Sequence, residues 1–121
     1  MIGKLGKALF GQRSTLGAVD AKRALDRGSV LVDVRGPGEW HAGHAPQAIH
    51  LPLDQLTRRL AELPADRPII TVCRSGHRSA IASALLRGEG RTATNLAGGM
   101  NAWADAGLPV VTDRGTPGHV V

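Results

Sequence analysis

Seven consecutive residues, Cys73-Arg74-Ser75-Gly76-His77-Arg78-Ser79, bring together the only cysteine of the chain, two guanidinium groups, an imidazole and two hydroxyls. These side-chain types suit nucleophilic chemistry on an anion. The reactive form of cysteine is the thiolate, and cationic neighbours or a helix amino terminus lower the thiol pKa from about 8.5 to roughly 3.5–7.5. A tight loop turns its backbone N–H groups inward as an anion nest, and a helix that follows adds partial positive charge. Arg74 and Arg78 supply fixed charge and His77 can add more. The expectation is a Cys73 thiolate in a cationic bowl open to small anions, which Arg74, Ser75, Gly76, His77 and Arg78 would hold.

The flanking sequence says how such a loop is positioned. Ile69-Ile70-Thr71-Val72 is a short, β-branched apolar run, read as a buried strand. From Ser79 the pattern turns helical and stops at Gly88 and Gly90. A strand, a tight loop and a helix place the loop at the carboxyl end of the strand, where open α/β sheets bind ligands. Val30 to Val34 is a second apolar strand, interrupted only by Asp33. Asp33 and Arg35 fall at its carboxyl end, and Glu39 and Trp40 lie in the glycine- and proline-rich loop beyond. Partly buried charges need partners, so Arg35 is expected to pair with Glu39 while Asp33 fixes loop backbone. The competing reading turns Arg35 toward substrate.

The remaining pattern is strand and helix in alternation with short connections. Ser14 to Leu16, Ala48 to Leu51 and Thr92 to Leu96 read as further strands. Helices are expected from Asp20 to Gly28, along Leu53, Leu56, Leu60 and Leu63, and from Met100 to Ala106. Gly98-Gly99 permits positive φ or close backbone approach beside the cysteine loop. Trp103 is expected in the core. His41, His44 and His50 do not complete a metal set, and His44 is expected to fix its loop through a ring hydrogen bond.

The cysteine loop resembles the active loop of single-domain rhodaneses, a sulfurtransferase family. Leu31-Val32-Asp33-Val34-Arg35, with Glu39-Trp40 and Gly43-His44-Ala45-Pro46-Gln47-Ala48-Ile49, is similar to that family's amino-terminal signature. Asn95-Leu96-Ala97-Gly98-Gly99-Met100-Asn101-Ala102-Trp103, with Ala106-Gly107-Leu108-Pro109-Val110, is similar to its carboxyl-terminal one. Gln47 stands where the family usually has glycine, which bears on the local turn. The resemblance implies a three-layer α/β/α rhodanese-like fold with a central parallel sheet of about five strands. It covers a domain at residues 15–111, between an N-terminal extension, 1–14, and a flexible C-terminal tail, 112–121.

The same resemblance implies a reaction. Thiolate Cys73 takes the outer sulfur of thiosulfate or a similar donor, carries it as a persulfide, and yields it to cyanide, a thiol or a protein acceptor. Arg74, Ser75, Gly76, His77 and Arg78 would hold the donor, with Asp33, Arg35, Glu39 and Ser79 in support, and with no metal or organic cofactor. Cysteine phosphatases of the related fold place five residues between cysteine and arginine. Here there are four, Arg74 to His77, a smaller bowl that is tight for a tetrahedral phosphate. A non-catalytic carrier or binding module is the third reading. It would need a buried, inert Cys73, which the position before a glycine-containing loop argues against.

Composition narrows the field. At 121 residues the chain makes one domain with a core of Leu, Val, Ile and Ala, since Phe10, Trp40 and Trp103 are its only aromatics. One cysteine excludes an intramolecular disulfide and suits a reducing, cytoplasmic setting. The net charge is +5, but the arginines are scattered and aromatics too few for base stacking, so small anions are expected rather than nucleic acid. No run reaches the roughly 20 apolar residues of a membrane span. A monomer or weak dimer is expected. Residues 1–14 place Ile2, Leu5 and Leu9 at helical spacing between lysines, yet Gly3, Gly6 and Gly11 favour a frayed end over an amphipathic helix, and no signal-peptide pattern follows.

Overall fold

Val30-Leu31-Val32-Asp33 and Ile69-Ile70-Thr71-Val72 are buried along their whole length, as strands covered on both faces must be. The computed structural model, which describes residues 14–121, makes them neighbouring strands β2 (Val30–Asp33) and β4 (Ile69–Val72). With β1 (Thr15–Leu16), β3 (Ile49–His50) and β5 (Ala93–Leu96) they form one parallel sheet in the order β1-β5-β4-β2-β3. The expectations for residues 1–13 lie outside the described residues. Among the described residues four helices, α1 (Ala18–Asp26), α2 (Pro37–Ala42), α3 (His77–Gly88) and α4 (Gly99–Asp105), connect or cover the sheet.

The period-two alternation of the strands sorts the core into two layers. Val30, Val32, Ile69, Cys73 and Ala93 point to one face and pack with Leu56, Leu63, Ala82 and Leu86. Leu31, Ile70, Val72 and Leu96 point to the other and pack with Ala18, Ala21, Met100 and Trp103. Trp103 is fully buried and donates its indole N–H to the carbonyl of Pro109 at 2.8 Å, as a buried tryptophan should.

Three local expectations are corrected. The leucines from Leu53 to Leu63 do not form one helix but two 3-10 turns, Leu53–Gln55 and Leu60–Glu62. Pro52 precedes them and the Leu53 N–H bonds to Val34 O at 3.1 Å, so the segment is pinned to the end of β2 before a helix can propagate. Leu56 and Leu63 still reach the core. The loop expected around Glu39 and Trp40 is α2, with Pro37 in its first turn and the Glu39 carboxylate accepting the Gly36 N–H at 3.3 Å. Helix α3 begins at His77, two residues ahead of Ser79. Gln47 is accommodated in a turn closed by Ala48 N–H to Ala45 O at 3.1 Å.

Residues 112–121 lie back along the domain. Val111 bridges both His44 and Pro117, the Gly118 N–H reaches Val110 O at 2.9 Å, and the His119 N–H reaches Ala42 O at 2.8 Å. Val120 packs against the Trp103 layer. The close crossing needs a bare Cα at Gly43, because a Cβ there would lie 2.5 Å from the His119 nitrogen. Gly43→Ala is therefore expected to cost about 1–3 kcal/mol of stability. It should also make residues 112–121 the first site of limited proteolysis. An unchanged melting temperature and cleavage pattern would show that the crossing is not tight.

Candidate active site

The parallel register sets the site. Thr71 pairs with Asn95, and Asp33 with Val72, so the ends of β2, β4 and β5 form one rim. Cys73 leaves β4 at that rim. Its loop turns at Gly76, whose φ of 113° is in the left-handed region that glycine tolerates. The loop is also held from behind. The Met100 N–H bonds to Cys73 O at 2.8 Å and the Asn101 N–H to Arg74 O at 3.1 Å, so the first turn of α4 grips the backbone of the cysteine loop. A Cβ on Gly99 would collide with the carbonyl oxygens of Cys73 and Arg74. That is the room the Gly98-Gly99 pair was expected to leave.

Cys73 is 1% exposed, against the expectation of an open thiol. Its burial is not that of an inert core cysteine. The Gly76 N–H points at Sγ from 3.1 Å and the Ser79 hydroxyl from 3.2 Å. Burial pushes the thiol pKa up. Hydrogen bonds from the Ser79 hydroxyl and from the backbone N–H groups of Ser79, Gly76 and Ser75 outweigh it, and the net direction is down from the ordinary cysteine value. The lowering comes chiefly from hydrogen bonds rather than from the arginines.

Ser79 itself is fully buried, and its oxygen also lies 2.5 Å from Asn95 Oδ1. The Asn95 amide donates to Gly76 O at 3.0 Å, and the Thr71 hydroxyl donates to Ser79 O at 2.8 Å. Thr71 and Asn95 thus lock the two groups that face the sulfur. Neither was picked out from the sequence. The available signal was a polar residue in each apolar strand, with Thr71 two positions before Cys73 and so on the same face.

The cations are arranged differently from expectation. Arg78 is bound by Glu39, Nη1 to Oε1 at 2.6 Å and Nη2 to Oε2 at 2.8 Å. This pairing holds the Glu39 carboxyl below its usual range and raises Arg78. Arg35 does not pair with Glu39. Its Nε and Nη2 take both oxygens of Asp33 at 2.8–3.1 Å, and Nη2 also donates to Gly43 O at 2.7 Å. Asp33 and Arg35 are both fully buried, so Arg35 does not face the bowl. The Asp33 carboxylate also accepts the Arg35 N–H, as expected for a group that fixes loop backbone. Arg74, Ser75 and His77 are exposed on the outer side of the loop.

The nearby imidazoles serve structure. His44 bonds Trp40 O at 2.8 Å through Nδ1, the ring bond expected of it, and His50 bonds Arg35 O at 2.8 Å. Trp40 stacks on both rings, on His44 at 3.5 Å and on His50 at 4.7 Å. No group of three or more metal-binding side chains converges among the described residues.

A buried, hydrogen-bonded cysteine between a parallel strand and a helix, ringed by N–H groups, defines a cysteine-loop α/β domain. Comparison with known proteins narrows this. Residues 17–106 match the rhodanese-like domain family, and the chain belongs to it. It is 46% identical over 88 residues to a sulfurtransferase of Allochromatium vinosum, covering 71% of this chain and 81% of that one. It is 33% identical over 84 residues to a thiosulfate sulfurtransferase of Pseudomonas syringae, covering 69% and 79%. A crystal structure of a rhodanese-related protein from Thermoplasma volcanium superposes with a TM-score of 0.77 at 30% identity, over 84% of this chain and 99% of that one. Family and relatives together support sulfurtransferase activity in general. No helix among the described residues is long and apolar enough to cross a membrane.

Two predictions follow from the geometry. Alkylation of Cys73 against pH should give a midpoint below the ordinary value, and Ser79→Ala should raise it by about one unit. Arg78→Ala should move it less. A larger shift from Arg78→Ala than from Ser79→Ala would return the arginines to first place. Arg35→Ala leaves a buried carboxylate unpaired and should cost about 3–5 kcal/mol, whereas Glu39→Ala breaks a partly exposed pair and should cost about 1 kcal/mol. Equal melting temperatures for the two variants would contradict this division of partners.

Proposed function

We propose that the chain moves sulfane sulfur from thiosulfate or a similar donor to a thiol, a protein thiol or cyanide through a persulfide on Cys73. The observation that carries the reading is the set of donors on Sγ, the Gly76 N–H and the Ser79 hydroxyl, in a loop closed by α4. Thiolate Sγ attacks the outer sulfur of the donor. The S–S bond of thiosulfate breaks and sulfite departs with both of its charges. The terminal sulfur of the persulfide then carries the negative charge that the loop N–H groups are placed to receive.

In the second half the acceptor attacks that terminal sulfur and Cys73 leaves. A lowered pKa makes Cys73 a better leaving group as well as an ionised nucleophile. Arg74, exposed on the outer side of the loop, draws the anionic donor in. Ser75, Gly76, His77 and Arg78 shape the bowl, and Asp33, Arg35, Glu39 and Ser79 keep it in place. A lone working thiol fits a reducing, cytoplasmic setting. Two features favour sulfur over phosphate as the transferred group. Four residues separate Cys73 from Arg78, and the Arg78 fork is occupied by Glu39 rather than presented to the bowl.

The reduced protein incubated with thiosulfate should gain the mass of one sulfur atom, and cyanide should remove it as thiocyanate. Cys73→Ser should do neither, because no free base adjoins the hydroxyl: guanidinium stays protonated. Release of phosphate from an aryl phosphate without sulfur loading would overturn the assignment.

A further inference from the structure

The site expected to hold a dianion has neutralised one of its two arginines. Arg78 stands at the second position of α3 with both terminal nitrogens on the Glu39 carboxylate. Glu39 is itself fixed, because the same carboxylate accepts the Gly36 N–H at the start of α2. Arg78 directly precedes Ser79, whose hydroxyl lies 3.2 Å from Cys73 Sγ, so the pair stands beside the reacting sulfur in the first turn of α3. Arg74 has no side-chain partner among the described residues and is the remaining fixed charge on the loop. One unpaired cation matches one negative charge on a ligand, not two.

Beside the Arg78–Glu39 pair opens a cleft of about 630 Å³ between the start of α2 and the first 3-10 turn. Val34, Pro37, Pro52 and Leu53 give it apolar walls, Arg78 borders it, and Asp54 adds a further carboxylate. A thiosulfate ion is far smaller than this space and carries charge that Glu39 and Asp54 repel. An organic group on a singly charged donor suits both the walls and the charge.

We propose that Glu39 is a specificity-determining residue that turns this site away from dianionic donors and toward singly charged organic ones of the thiosulfonate or persulfide class, with the organic group in the Val34–Pro37–Leu53 cleft. The inference rests on the sulfur-transfer reading above. With a thiosulfonate, thiolate Cys73 attacks the sulfane sulfur, the bond to the sulfonyl sulfur breaks, and a sulfinate leaves with the electron pair. One persulfide forms, as from thiosulfate, and the two sides carry equal charge. The two donors differ by one alkyl group and one unit of charge, so their comparison isolates the feature in question.

The test compares thiosulfate with methanethiosulfonate in the wild type and in Glu39→Gln. Glutamine keeps the cap on Gly36 and removes the charge. The wild type should favour methanethiosulfonate in kcat/KM. In Glu39→Gln the ratio of thiosulfate to methanethiosulfonate kcat/KM should rise about tenfold at low salt. A ratio that stays constant or falls overturns the proposal. A second arm needs no turnover: sulfate and methanesulfonate are compared as protectants of Cys73 against iodoacetamide. The ratio of their half-protecting concentrations, sulfate over methanesulfonate, should fall by a similar factor in Glu39→Gln, and an unchanged ratio also counts against the proposal. If that ratio shifts while neither donor loads sulfur on either protein, Glu39 controls anion charge as stated and it is the sulfur-transfer reading that fails.

Discussion

The rim of this domain depends on a buried ion pair. Asp33 and Arg35 lie fully out of solvent, where an unpaired charge costs several kcal/mol, so each requires the other. From that pair the constraint spreads outward. Arg35 holds Gly43 O and receives His50 on its own carbonyl, which fixes the two ends of the segment containing α2. Helix α2 carries Glu39, and Glu39 holds Arg78 on the helix that opens after the cysteine loop. The pair never touches the sulfur, yet it determines where the charge beside the sulfur sits.

Around Cys73 two effects oppose each other. Removal from water disfavours the thiolate, and hydrogen bonds from Ser79, Gly76 and Ser75 favour it. The hydrogen bonds win, which separates this cysteine from an inert core thiol of similar exposure. Their geometry is rigid because Asn95 and Thr71 brace it from the sheet and α4 braces it from the loop's other side. The Ser79 hydroxyl has one proton and two acceptors, Sγ and Asn95 Oδ1, so its bond to the sulfur strengthens when the sulfur is charged.

Much of this was legible in the sequence. Apolar β-branched runs announced β2 and β4, and the residues from Cys73 to Ser79 announced the nest. The double glycine announced the close approach of α4. What was not legible has physical causes. The leucines from Leu53 to Leu63 recur at a spacing that a helix and successive 3-10 turns both satisfy, and only the anchor on Val34 decides between them. Two carboxylates, Asp33 and Glu39, compete for two arginines, Arg35 and Arg78, and sequence proximity pointed to Arg35 with Glu39. Three-dimensional register put Arg35 on Asp33 and left Glu39 for a residue 39 positions away. The tail from 112 to 121 looked loose by its glycines and proline. One of those glycines, Gly118, meets Gly43 in a crossing too tight for a Cβ on either.

The stack of His44, Trp40 and His50 has an optical consequence. An indole stacked on two imidazoles emits according to how closely those rings lie against it, and both rings are tied to the backbone that shapes the rim. Trp103 sits fully buried against the sheet with its N–H satisfied, and so contributes a steady background. The molecule therefore carries one variable and one constant fluorophore. Emission from Trp40 reports on the arrangement of the rim without any added label.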